Sequence, residues 1–115
     1  MSANPVEQPK AQAVFVGLQS AVEKLVAETF PGPAAPVSFH REPSRHFFVY
    51  RKIRPSLRLD VELADDFQSI RFATGTSESR FGFRVIAAGE VRLFHNQKLW
   101  TPEEAAKLLL ASFLS

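Results

Sequence analysis

From Leu57 to His95, apolar and polar residues alternate in successive short runs. In the first run Leu57, Leu59, Val61 and Leu63 are separated by Arg58, Asp60 and Glu62. Successive side chains of a strand point to opposite faces, so a period of two predicts a strand with one buried and one wet face. Asp65-Asp66 interrupts the run and suits a turn. With those two residues as the loop, a second strand over about Phe67–Thr74 would set Val61 against Ile70, Leu59 against Phe72, and Asp60 against Arg71 on the outer side. Gly75-Thr76-Ser77-Glu78 is the next predicted turn, which would pair Phe72 with Phe81 and Ile70 with Phe83. The third strand, Arg80–Ile86, directs Phe81, Phe83 and Val85 inward and Arg80, Gly82 and Arg84 outward. Ala87-Ala88-Gly89 fits a three-residue hairpin loop with glycine at its left-handed position. It pairs Val85 with Val91, Phe83 with Leu93, and Arg84 with Arg92.

The flanks follow other periods. Residues 1–8 are expected to be a flexible N-terminus, with a helix starting near Pro9. Val14, Leu18, Val22, Leu25, Val26 and Thr29 fall on one helical face with Phe15 beside them, and Gln12, Gln19 and Glu23 fall on the other. Pro31 stops the helix and opens a stiff connector, Pro31-Gly32-Pro33-Ala34-Ala35-Pro36. Val37–Arg41 is a short strand, Glu42-Pro43-Ser44 a turn, and Arg45–Ile53 a further strand. In this last strand alternation fails, because Phe47, Phe48, Val49 and Tyr50 are consecutive. The expected arrangement turns Phe48 and Tyr50 inward and Phe47 and Val49 outward, since the opposite one would bury Arg51 against Leu59 at a desolvation cost. At the far end Thr101-Pro102-Glu103-Glu104 carries an N-cap threonine, a first-turn proline and a capping-box glutamate. The helix it opens is apolar nearly all round, and Trp100 is placed to anchor its start.

The predicted fold is therefore α+β: a two-layer sandwich with an N-terminal helix, an antiparallel sheet of about six strands in meander order, and a C-terminal helix, both helices on one face. Residues 9–115 form its single domain. A chain of 115 residues with 11 phenylalanines can build a core unaided. It has no cysteine, which excludes disulfides, thiolate metal sites and a cysteine nucleophile. Met1–Lys10 lacks the apolar core of a signal peptide, and no apolar run is long enough to span a membrane. The expected location is cytoplasmic, with no membrane partner.

Net charge is +2, too mild to indicate nucleic acid by itself. Its distribution is more informative. Arg41, Arg45, Arg51, Lys52, Arg54 and Arg58 crowd one stretch with only Glu42 against them. The outer sheet face is expected to display Arg58, Asp60, Glu62, Arg71, Arg80, Arg84, Ile86, Arg92 and Phe94, joined by Phe47 and Val49. Arg84 opposite Arg92 calls for an anion or a carboxylate, since like charges directly opposite are unfavourable. Exposed Phe94, Ile86 and Phe47 call for cover. An ordinary solvated face, with arginine stems lying over scattered apolar groups, accounts for the same pattern without a partner.

These features lead to a small non-enzymatic protein-interaction domain that self-associates, or binds another protein, through the outer sheet face or an edge strand. The candidate contact residues are Arg71, Arg84, Arg92, Phe94, Ile86 and Phe47. The alternative is an anion- or nucleic-acid-binding module using the same arginine-rich face, supported by the aromatic–basic run His46-Phe47-Phe48-Val49-Tyr50-Arg51-Lys52. A metal or acid–base enzyme built on His40, His46 or His95 is the weakest class. A three-residue Glu42-Pro43-Ser44 loop would set His40 against His46, but no spacing motif supplies a third ligand. The glycines are scattered rather than gathered into a phosphate-cradling loop. No catalytic residue, cofactor or metal is expected.

Overall fold

Alternating strands need an apolar layer to cover their inner face, and the two terminal amphipathic segments supply it. The computed structural model describes residues 6–43 and 45–114. In order the elements are α1 (Gln8–Thr29), β1 (Val37–Glu42), β2 (His46–Arg51), β3 (Leu57–Leu63), β4 (Ser69–Thr74), β5 (Ser77–Val85), a 3-10 turn (Ala87–Gly89), β6 (Val91–His95), β7 (Lys98–Trp100), α2 (Pro102–Leu109) and α3 (Ala111–Leu114). The strands make one antiparallel meander in the order β1-β2-β3-β4-β5-β6-β7. The helices pack on one of its faces, and α1 lies against α2, β1 and β6. One hydrophobic cluster joins Leu18 and Val22 of α1, Phe47 and Val49 of β2, Leu59, Val61 and Leu63 of β3, Ile70, Phe81, Leu93, and Ala105 and Leu110 at the C-terminus.

The sheet has one strand more than the alternation suggested. Asn96 and Gln97 both adopt left-handed backbone, φ 52° and 61°, and so form a two-residue turn of the kind whose twist suits a hairpin. The chain returns as β7, with Leu93 opposite Trp100. The Trp100 indole N–H donates to the His95 carbonyl at 2.8 Å, and its ring meets Phe81 edge-on.

Registers differ from expectation at two hairpins, each by two residues, so the inner face is preserved. Val61 faces Phe72, Leu63 faces Ile70 and Glu62 faces Arg71. The β3–β4 loop is longer than Asp65-Asp66: Ala64 N–H donates to the Ser69 carbonyl, Gln68 N–H to the Asp66 carboxylate, and Phe67 takes a φ of 60°. The Phe67 ring then packs on the core instead of entering the strand. The β4–β5 loop is shorter, only Gly75-Thr76 between paired Thr74 and Ser77, so Ile70 faces Phe81 and Phe72 faces Ser79. Gly75 has φ 60° at the first loop position, where a two-residue turn favours glycine. The β5–β6 hairpin matches its expected register, with Val85 opposite Val91, Phe83 opposite Leu93, and Gly89 left-handed at φ 74°.

The larger correction is in β2. Phe47 and Val49 are fully buried, whereas Phe48 and Tyr50 lie on the outer face and are half-buried. The cost feared for Arg51 does not arise. Arg51 sits at the strand end between Val37 and Leu57, half-exposed, with its Nε donating to the Pro55 carbonyl at 3.1 Å. Phe47 instead fills the core between Phe15 and Phe39.

Smaller differences concern exposure. Val85 shares the inner face but is 50% exposed at the end of β5. The buried stripe of α1 runs through Ala11, Phe15, Leu18, Val22 and Val26 and takes in Gln19, which the periodicity had placed on the wet face. For residues 1–5 the expected flexibility lies outside the described residues. Val6 is buried, and its backbone N–H and carbonyl both bond the Gln68 side-chain amide, at 2.9 and 3.0 Å. The capping box at Thr101 is formed: Glu104 N–H donates to Thr101 Oγ1 at 3.1 Å, and Thr101 N–H donates to Glu104 Oε1 at 3.0 Å. The helix it opens breaks at Leu110, and both Leu110 and Phe113 are buried.

Candidate interaction surface

Among the described residues no helix covers the outer face of the sheet. Alternation sends to it His40 from β1, His46, Phe48 and Tyr50 from β2, Arg58, Asp60 and Glu62 from β3, Arg71 from β4, Glu78, Arg80 and Arg84 from β5, and Arg92 and Phe94 from β6. Leu99 of β7 is opposite Phe94 and 39% exposed.

Two arginine–aromatic stacks stand toward opposite sides of this face. At the β1–β3 side the Arg58 guanidinium lies 3.9 Å from the centre of the Phe48 ring, and the His40 ring stacks on the same ring at 4.6 Å. Arg58 also grips Asp60, with Nε 2.9 Å from Oδ2 and a terminal nitrogen 2.9 Å from Oδ1. His46 Nε2 is 2.9 Å from the same Oδ1. Burial opposes ionisation of Asp60, but the hydrogen bonds from Arg58 and His46 outweigh it and hold the carboxyl below its ordinary range. The carboxylate in turn raises the Arg58 guanidinium further above its ordinary value. On the β5–β7 side the Arg84 guanidinium lies 4.0 Å from the centre of the Phe94 ring. Guanidinium stacking of this kind shields part of a ring and leaves its rim open to a partner.

Between the stacks Arg71 is paired with carboxylates, while Arg80 bonds a hydroxyl. Arg71 bonds Glu78 at 2.9 Å and Glu62 at 3.3 Å, and these carboxylates raise it above its ordinary value, Glu78 most. Arg80 donates to the Ser69 hydroxyl at 3.0 Å. Arg92 faces Arg84 as expected, and the unfavourable pair is relieved by Glu90, 3.1 Å from Arg92 Nε. The expected Asp60–Arg71 pair is replaced by Glu62–Arg71 through the shifted register.

Of the anticipated contact residues, Arg71, Arg84, Arg92 and Phe94 share the outer face. Ile86 is half-buried where the β5–β6 hairpin closes, its N–H donating to the Glu90 carbonyl. Phe47 does not belong to this set: it is fully buried on the opposite face, because the parity of β2 is the reverse of that expected. Phe48 and Tyr50 take its place. Their signal in the sequence was Arg51, which is comfortable inward once it stands at the end of the strand instead of beside Leu59.

The histidines occupy separate settings. Glu42, not His40, is opposite His46, and His40 is opposite Phe48. His40 Nε2 pairs with the Ser38 hydroxyl at 2.8 Å, and His95 Nδ1 is 2.9 Å from the Arg80 carbonyl. Among the described residues no group of three or more histidine, cysteine, aspartate or glutamate side chains is disposed to hold a metal ion. No helix among them is long and apolar enough to cross a membrane. Compared with protein-family models, with curated proteins and with solved structures, the chain matches none.

Proposed function

We propose that this protein is a small non-catalytic interaction domain that self-associates through the outer face of its sheet. The observation that carries this is the uncovered face itself, which presents Phe48, Tyr50, Phe94 and Leu99 among charges of both signs. The apolar surplus of the C-terminal helices is already used, since Ala105, Ala106, Leu109, Leu110 and Phe113 lie in the core. Apart from Val85 at the end of β5, the accessible apolar groups named on the sheet lie on this face. Its cations Arg58, Arg71 and Arg92 are interspersed with Asp60, Glu62, Glu78 and Glu90, and the aromatic groups flank this charged middle, so a second copy rotated about a two-fold axis can meet opposite charges between two apolar flanks. An edge strand is the competing contact, and β1, with six residues, is the longer of the two edges.

The polyanion alternative has fewer free charges to draw on. Arg71 is held by two carboxylates and Arg92 by Glu90, which leaves Arg84 as the cation of that group without a carboxylate among the described residues.

Sedimentation velocity over a range of concentrations tests the proposal. The native chain should shift toward a dimer as concentration rises. Phe94→Asp and Phe48→Asp should remain monomeric with unchanged circular dichroism, because each forces a charge into an apolar contact. A native chain that stays monomeric throughout would sink the self-association reading. Dimerisation insensitive to both substitutions would move the contact to an edge strand. Nucleic-acid binding that falls steeply with salt would favour the alternative.

A further inference from the structure

Lys52 and Arg54, of the basic run that ends β2, are left unused by the outer-face contact, and both line one hollow. Tyr50, Lys52, Arg54, Pro55 and Ser56 line an open hollow of about 800 Å³ at the β2–β3 connection. Between Glu42 and Asp60 the chain contains Arg45, Arg51, Lys52, Arg54 and Arg58 and no carboxylate. Arg58 is committed to Asp60 and Arg45 to Asp65, so their charges are balanced. The hollow differs. Among the described residues the side chains of Tyr50, Lys52, Arg54 and Ser56 make no hydrogen bond or ion pair within the chain. Two cationic and two hydroxyl-bearing residues therefore line one space, with no side-chain partner for them among the described residues.

The walls are anchored. Lys52 N–H donates to the Pro36 carbonyl at 2.9 Å, which ties the start of the loop to the residue before β1. Arg51 Nε holds the Pro55 carbonyl at 3.1 Å, which ties its end back to β2. The donors thus hang from a backbone fixed at both sides.

We infer that this hollow is a binding site for a small phosphate-bearing molecule. A phosphate monoester carries about −1.5 to −2 charge at neutral pH and offers three acceptor oxygens. That matches a lysine, an arginine and two hydroxyl donors better than a single carboxylate does. Arginine can grip two of the oxygens as a fork while lysine supplies a point charge. The Tyr50 ring and Pro55 provide apolar walls for whatever the phosphate is attached to. The site shares Tyr50 with the outer-face contact, but its cations Lys52 and Arg54 lie outside that contact and the inference does not rest on it.

Amide chemical shifts of the full chain, titrated at constant ionic strength with inorganic phosphate and with a nucleoside 5′-monophosphate, test this. Saturable changes confined to residues 50–56 are expected with at least one of the two. Tighter binding of the monophosphate would assign an organic phosphate as the ligand, and equal binding would assign the phosphate group alone. Lys52→Ala and Arg54→Ala should each weaken binding about tenfold, and together abolish it. Lys24→Ala, an exposed cation of α1, should leave it unchanged. All these positions are exposed, and unchanged circular dichroism would confirm that the fold is kept. Shifts that never saturate, that spread over all cationic surfaces, or that survive the double substitution would overturn the proposal. So would binding seen only with long oligonucleotides and lost steeply with salt, which would make the hollow part of a general polyanion surface.

Discussion

The Arg58 guanidinium lies 3.9 Å from the centre of the Phe48 ring, on the outer face of the sheet, while the preceding residue, Phe47, is fully buried on the other face. Two adjacent phenylalanines thus have different energetic roles. Phe47 is enclosed by Phe15 and Phe39, so Phe47→Ala removes a core ring and leaves a cavity, at a cost of about 3–5 kcal/mol. Phe48→Ala loses the partly solvated stacking on Arg58 and His40 and should cost roughly 1 kcal/mol. Urea midpoints of the two variants measure the difference directly. Equal losses would mean that the parity of β2 is not the one described.

The start of α2 gives a second expectation. Thr101 Oγ1 accepts from Glu104 N–H, and the Glu104 carboxylate accepts from Thr101 N–H. The backbone hydrogen bond to Thr101 holds the Glu104 carboxyl below its ordinary range. Thr101→Ala strips one first-turn N–H of its acceptor and should destabilise the fold by about 1 kcal/mol. Thr101→Ser, which keeps the acceptor, should recover most of that. A serine variant no better than the alanine one would show that the loss came from the threonine methyl and not from the cap.

Much of this fold was legible because its signals are local. Leu57, Leu59, Val61 and Leu63 announce a strand without reference to anything distant, and Thr101-Pro102-Glu103-Glu104 announces a helix start. Gly89 identifies its hairpin because a left-handed position discriminates sharply among residues. What was misjudged depends on partners far along the chain. Phe67 left its strand because a core position was open to it, and that moved the β3–β4 register by two. The Asn96-Gln97 turn carries no glycine, so β7 passed for a connector. At β2 both faces are apolar, so alternation is silent, and the choice fell to where Arg51 ends relative to Leu57. The candidate surface inherited that last error: Phe94 and the arginines lie where expected, while Phe47 and Phe48 exchange roles. The hollow at residues 50–56 lay inside the basic run noted from the sequence, but which residues line it depends on how the β2–β3 connection is pinned.

A third expectation concerns pH. Asp60 is held below its ordinary value of 3.8, because the hydrogen bonds from Arg58 and His46 outweigh the opposing effect of burial. A group whose pKa is lower folded than unfolded binds fewer protons in the folded state. Its stabilisation is therefore full above the unfolded value and is lost as pH falls through the folded one. Asp60→Asn removes this contribution, and should cost roughly 1 kcal/mol at neutral pH, given that Arg58 is half exposed to solvent. The gap between native and variant stabilities should then be present above the unfolded value of 3.8 and should close as pH falls below it, through the lower folded value. Taking the difference cancels the carboxylates common to both chains, Glu104 among them. Chemical denaturation at a series of pH values measures it. A gap that persists undiminished at the acid end would show that the shape of the Asp60 side chain, and not its charge against Arg58 and His46, is what stabilises this corner of the sheet.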